Sequence, residues 1–89
     1  MKLIIDIGNT AVKTALFEDK QLISSSVLND CTLQNILVFV GKQNILHAII
    51  SSVKALDTNL EQIIQHFDAH FLNENTLLPI TIDYKNQIL

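Results

Sequence analysis

Apolar and polar positions change their period several times along the chain. Leu3-Ile4-Ile5 is an unbroken apolar run ending at Asp6-Ile7-Gly8, a pattern that predicts a strand buried on both faces. Gly8-Asn9 is a two-residue hairpin signal, and Thr10 to Phe17 predicts the returning strand. Asp19-Lys20 marks a second turn, followed by a third strand over Leu22 to Leu28 with Ser24, Ser25 and Ser26 in its middle. Leu33, Ile36, Leu37 and Val40 then fall at helical spacing, with Thr32 or Asp30 as a cap and Gly41 as a terminator. Ile36 to Val40 is wholly apolar and also suits a strand, but the caps favour a helix. Ala48 to Val53 predicts another buried strand. Thr58-Asn59-Leu60-Glu61 reads as a capping box opening a second helix on Leu60, Ile63, Ile64 and Phe67. Phe71-Leu72 predicts a short strand, Pro79 interrupts the chain, and Ile80 to Tyr84 alternates as a last strand.

This order predicts an α/β fold. Its mixed sheet has an N-terminal antiparallel three-stranded meander followed by alternating helices and parallel strands. No internal repeat, low-complexity segment or linker interrupts it, and 89 residues suit one small domain. Composition adds one point: 48% of residues are hydrophobic and only 17% charged, more apolar material than a thin small core needs. A partner surface is one outlet for it; a compact aliphatic core is the other.

The net charge of −3 and the lack of any basic run argue against a nucleic-acid partner. Cys31 is the only cysteine, so no internal disulfide can form, which suits a reducing compartment. The apolar stretch at the N-terminus is too short for a secretory signal. No window approaches the ~20 apolar residues of a membrane span. The expectation is a cytoplasmic protein with no membrane association.

The first hairpin carries the candidate chemistry. With Gly8 and Asn9 central in the turn, Ile7 lies opposite Thr10, Asp6 opposite Ala11 and Ile4 opposite Lys13. Asp6 and Lys13 then share a face as diagonal neighbours, roughly 7–8 Å apart at the backbone. A tight turn offers N–H groups to an anion, Gly8 permits close approach and positive φ, Asp6 suits Mg²⁺, and Lys13 suits a terminal phosphate. These are the parts phosphoryl transfer needs. An ordinary hairpin with a surface ion pair reads equally well from these residues alone. Two glycines, Gly8 and Gly41, exclude a Walker A loop and a dinucleotide fingerprint. His66 and His70 stand four apart, as zinc ligands can, but lack a third ligand. Ser51 and Ser52 end a strand toward the presumed cleft.

Leu3-Ile4-Ile5-Asp6-Ile7-Gly8-Asn9-Thr10 with Lys13, then Ile50-Ser51-Ser52-Val53, then Tyr84-Lys85-Asn86 closely resemble, in the same order, the type III pantothenate kinases. These belong to the acetate and sugar kinase, heat-shock chaperone and actin superfamily. The resemblance spans essentially the whole chain. It implies an actin-like (ribonuclease-H-like) half, a phosphate site of Asp6, Gly8, Asn9, Thr10 and Lys13, and Tyr84 beside a pantothenate pocket. It further implies ATP and pantothenate as substrates, Mg²⁺ at Asp6, a monovalent cation (K⁺ or NH₄⁺) and a homodimer. The reaction would be phosphorylation of pantothenate to 4'-phosphopantothenate, the first step of coenzyme A synthesis.

One departure limits the expectation. Gln87 stands where the family usually has a proline, and the chain ends at Leu89, before the Gly-x-Asp-Arg motif that supplies the general base. Residues 1–89 are therefore expected to form a single N-terminal phosphate-binding domain, without the family's C-terminal domain and inactive alone. The competing readings are a non-catalytic or transcriptional-activator-like binding module, and another small-molecule kinase of the superfamily.

Overall fold

A computed structural model describes residues 1–73. The strand expected over Ile80 to Tyr84, and Tyr84 itself, lie outside the described residues. The elements are β1 (Lys2–Ile7), β2 (Val12–Glu18), β3 (Gln21–Leu28), α1 (Leu33–Val40), β4 (His47–Ser52), α2 (Thr58–Phe67) and β5 (His70–Asn73). The five strands form one mixed sheet in the order β3-β2-β1-β4-β5. β1–β2 and β2–β3 pair antiparallel; β1–β4 and β4–β5 pair parallel. The α/β class and the meander followed by parallel strands are as expected.

The sheet is covered by helices on one side only. Leu3, Ile5 and Ile7 of β1, Val12 and Leu16 of β2 and Ala48 and Ile50 of β4 are buried, packed with Ile36 and Val40 of α1 and Leu60 and Ile63 of α2. Their neighbours in sequence face the other way: Ile4, Ala15 and Ile49 are half-buried, and Asp6 and Lys13 are exposed. The first strand is thus buried on one face, not both. Its apolar run hides an alternation, because Ile4 is as hydrophobic as the residues that fill the core.

Caps fix the helix ends. Thr32 accepts from the Asn35 N–H at 3.2 Å, and Gly41 closes α1 at φ 63° with its N–H on the Leu37 carbonyl. The second cap differs from the sequence expectation. Asp57, not Thr58, is the N-cap of α2, its carboxylate accepting from the Leu60 N–H at 2.8 Å. An anionic cap also meets the positive end of the helix dipole. Replacing Asp57 with Ala is expected to cost about 1 kcal/mol, read as a lower denaturant midpoint with an unchanged slope. No loss of stability would remove the cap from the account. At the other end Asp68 takes a left-handed conformation, φ 51° and ψ 48°, and Ala69 N–H reaches the Ile64 carbonyl at 3.0 Å, as in a Schellman ending.

Candidate phosphate site at the end of the central strands

β1 and β4 run parallel at the middle of the sheet, and their carboxyl ends lie side by side. Such ends are where open α/β sheets gather ligands. Asp6 pairs in register with Lys13 on one side and with Ser51 on the other. Lys13, Asp6 and Ser51 therefore form one transverse row on the sheet face that the helices leave uncovered.

The hairpin register differs from the sequence expectation. Ile7 faces Val12, Asp6 faces Lys13 and Ile4 faces Ala15, so Asp6 and Lys13 are direct partners, not diagonal ones. The loop spans residues 8 to 11 and is closed by the Gly8 N–H on the Ala11 carbonyl at 2.9 Å, which puts Asn9 and Thr10 at its tip. Gly8 does not use positive φ. A Cβ added there would meet the Ala11 oxygen at 3.4 Å, an ordinary contact. The local fold does not demand glycine at position 8, so the absence of a side chain matters for what approaches the loop from outside.

Asn9 and Thr10 are exposed, and among the described residues neither makes a hydrogen bond within the chain. Two backbone N–H groups at the loop tip are therefore open to an anion. Asp6 and Lys13 line a trough of about 520 Å³ on the open face, with Ile4, Ala15 and Phe17 as its floor. Among the described residues the carboxylate and the ammonium do not close into an ion pair. The structure thus brings Asp6 and Lys13 together next to Gly8, Asn9 and Thr10, whereas Tyr84 is outside the described residues.

The two serines separate. Ser52 is fully buried under the helices, where its Oγ donates to the Lys54 carbonyl and accepts from the Lys54 N–H, both at 2.9 Å. That hydroxyl is structural. Ser51 lies on the other face in the row with Asp6. The alternation of Ala48, Ile50 and Ser52 toward the core carries that distinction. Two apolar residues and a serine share one parity.

Among the described residues no three His, Cys, Asp or Glu side chains cluster as metal ligands. His70 begins β5 instead of extending α2, so it does not share a helical face with His66. A lone carboxylate such as Asp6 suits Mg²⁺ when nucleotide phosphates and waters supply the other oxygens. Cys31 is inert by environment: burial, then the nearby Asp57 charge, raise its thiol to about 11. An acid raised on folding favours the protonated folded state. Its contribution to stability is complete below the unfolded pKa and is lost as pH rises through about 11. Thiol labelling at pH 8 is expected to run about 100-fold slower in the native chain than in the urea-unfolded chain. Equal rates would contradict this environment.

Fold and site together define a mixed α/β domain with its polar groups gathered at the ends of central strands. The family model for type III pantothenate kinase matches residues 2–88. A type III pantothenate kinase from Cytophaga hutchinsonii is 33% identical over 85 residues, covering 96% of this chain and 35% of the relative. The chain belongs to the type III pantothenate kinase family. It spans about a third of the length of that curated relative. No solved structure matches it. No helix among the described residues is long and apolar enough to cross a membrane.

Proposed function

We propose that residues 1–89 form the nucleotide-phosphate domain of an ATP-dependent pantothenate kinase with an actin-like half-fold. The observation that carries the reading is Asp6 facing Lys13 in register at the end of β1, beside the open N–H groups of the Asn9–Thr10 loop tip. Lys13 neutralises charge on the transferred phosphoryl group. The N–H groups and polar side chains of Asn9 and Thr10 hold phosphate oxygens in place. Gly8 keeps the approach clear. Asp6 would hold Mg²⁺, and the metal would supply charge neutralisation for the phosphates. Positioning and charge neutralisation make up most of what such a reaction asks of a protein.

The same reading places Tyr84 beside the pantothenate and includes a monovalent cation, a cytoplasmic setting and a homodimer. It assigns phosphate binding, not turnover, to these residues. In this reading the acceptor's general base comes from a Gly-x-Asp-Arg segment, a motif that does not occur within residues 1–89. Titrating ATP with Mg²⁺ while following backbone amides by NMR tests it. Asn9, Thr10 and Lys13 are expected to shift first, and silence at millimolar nucleotide would overturn the reading.

A further inference from the structure

Asp6 stands in a row whose order limits where a cation can sit. The register runs Val27, Lys13, Asp6, Ser51 and Leu72 across β3, β2, β1, β4 and β5. Residues in register share a face of the sheet. Apolar side chains close both ends of the row. Only two of its side chains carry oxygen: the Asp6 carboxylate and the Ser51 hydroxyl.

The two sides of Asp6 differ for a divalent cation. On the β2 side stands the Lys13 ammonium, which repels it. On the β4 side stands a neutral hydroxyl. Adjacent strands lie about 4.8 Å apart, so Asp6 and Ser51 project side by side. Mg²⁺ takes only one or two carboxylates from a protein and keeps several of its waters. Beside Asp6 it needs a neighbour that hydrogen-bonds to a coordinated water. A serine hydroxyl has one donor and two acceptor sites, so Ser51 can accept from such a water while its proton serves another bond. Ser51 is half-buried, and Ser52 is no substitute, because it is turned into the core and bonded to the Lys54 backbone.

We infer that Ser51 is a further binding residue for the metal–nucleotide complex. Its hydroxyl accepts a hydrogen bond from a water of the Mg²⁺ at Asp6 and draws the metal to the β4 side of the row, leaving Lys13 to the phosphates. The inference rests on the phosphate-site reading proposed above and extends it, by assigning metal and phosphates to opposite sides of Asp6.

The test titrates ATP into the 89-residue chain with Mg²⁺ and, separately, with a chelator and no metal. Ser51→Ala is expected to weaken MgATP about 3- to 10-fold, the size of one lost hydrogen bond, and to leave metal-free ATP unchanged. Ser51→Thr keeps the hydroxyl on a residue that favours strands and is expected to retain the parent affinity. A urea midpoint checks that each variant folds. With MnATP, paramagnetic broadening is expected to be stronger at the Ser51 amide than at the Lys13 amide. Ser51→Ala that weakens neither form of ATP, or both equally, overturns the inference, as does broadening centred on Lys13. Asp6→Ala separates this failure from that of the underlying reading. If the parent binds no MgATP, the phosphate site itself falls. If the parent binds it and Asp6→Ala removes the metal's contribution while Ser51→Ala does not, only the role of Ser51 falls.

Discussion

Lys13→Ala is expected to lower MgATP affinity roughly 10- to 100-fold while leaving the fold intact. A charge-assisted hydrogen bond to phosphate is worth about 1.5–3 kcal/mol, and each 1.4 kcal/mol is about tenfold in affinity. Lys13 is exposed and forms no ion pair with Asp6 among the described residues, so its loss breaks nothing in the fold. Surface substitutions of this kind stay within about 0.5 kcal/mol of the parent stability. Calorimetric titration reads the affinity and a urea midpoint reads the fold. Unchanged affinity with unchanged stability would remove Lys13 from the phosphate site. Lys13→Arg separates charge from shape: a guanidinium keeps the charge but spreads it over a planar fork, so partial retention is the expected result.

Ile5→Ala is expected to be the most damaging single truncation. Ile5 is fully buried at the centre of β1, between strands on both sides and under the helices. Removing a buried isoleucine side chain to alanine costs about 2–5 kcal/mol, against about 5–15 kcal/mol of total stability for a typical domain. In a chain this small the substitution is expected to leave a substantial unfolded population, seen in circular dichroism and in a shifted urea midpoint. Ile4→Ala is the contrast. Ile4 is adjacent in sequence but faces the open side and is only half-buried, so its truncation is expected to cost much less. Equal losses at the two positions would mean that the open face is covered in solution.

Most of the architecture was legible because each element announces itself by a different physical signal. Helical spacing and end caps identified α1 despite its apolar run, and glycine, aspartate and lysine marked the turns. The hairpin register was not legible, and the reason is geometric. Moving β2 by two residues against β1 keeps every side chain on its original face. Both registers bury Ile5, Ile7 and Val12 and expose Asp6 and Lys13, so the hydrophobic pattern cannot choose between them. The choice falls to the loop, where the Gly8 N–H to Ala11 carbonyl bond places Asn9 and Thr10 at the tip. Ser51 and Ser52 end the same strand, and Ser52 alone continues the inward parity of Ala48 and Ile50. The pairing of β4 with β1 adds what that parity does not hold, setting Ser51 beside Asp6 while Ser52 bonds to Lys54.

The one-sided cover of β1 also constrains how this protein can evolve. Odd positions from Leu3 to Ile7 fill the core and even positions Ile4 and Asp6 face outward. Losing or gaining one codon within β1 inverts that order downstream, sending a carboxylate into the core and an aliphatic side chain to the phosphate loop. Length variation in lineages that keep both fold and chemistry is therefore confined to connections such as Asp19-Lys20 or the segment 42–46. Substitution, not insertion, is the route by which the strand end itself can diversify.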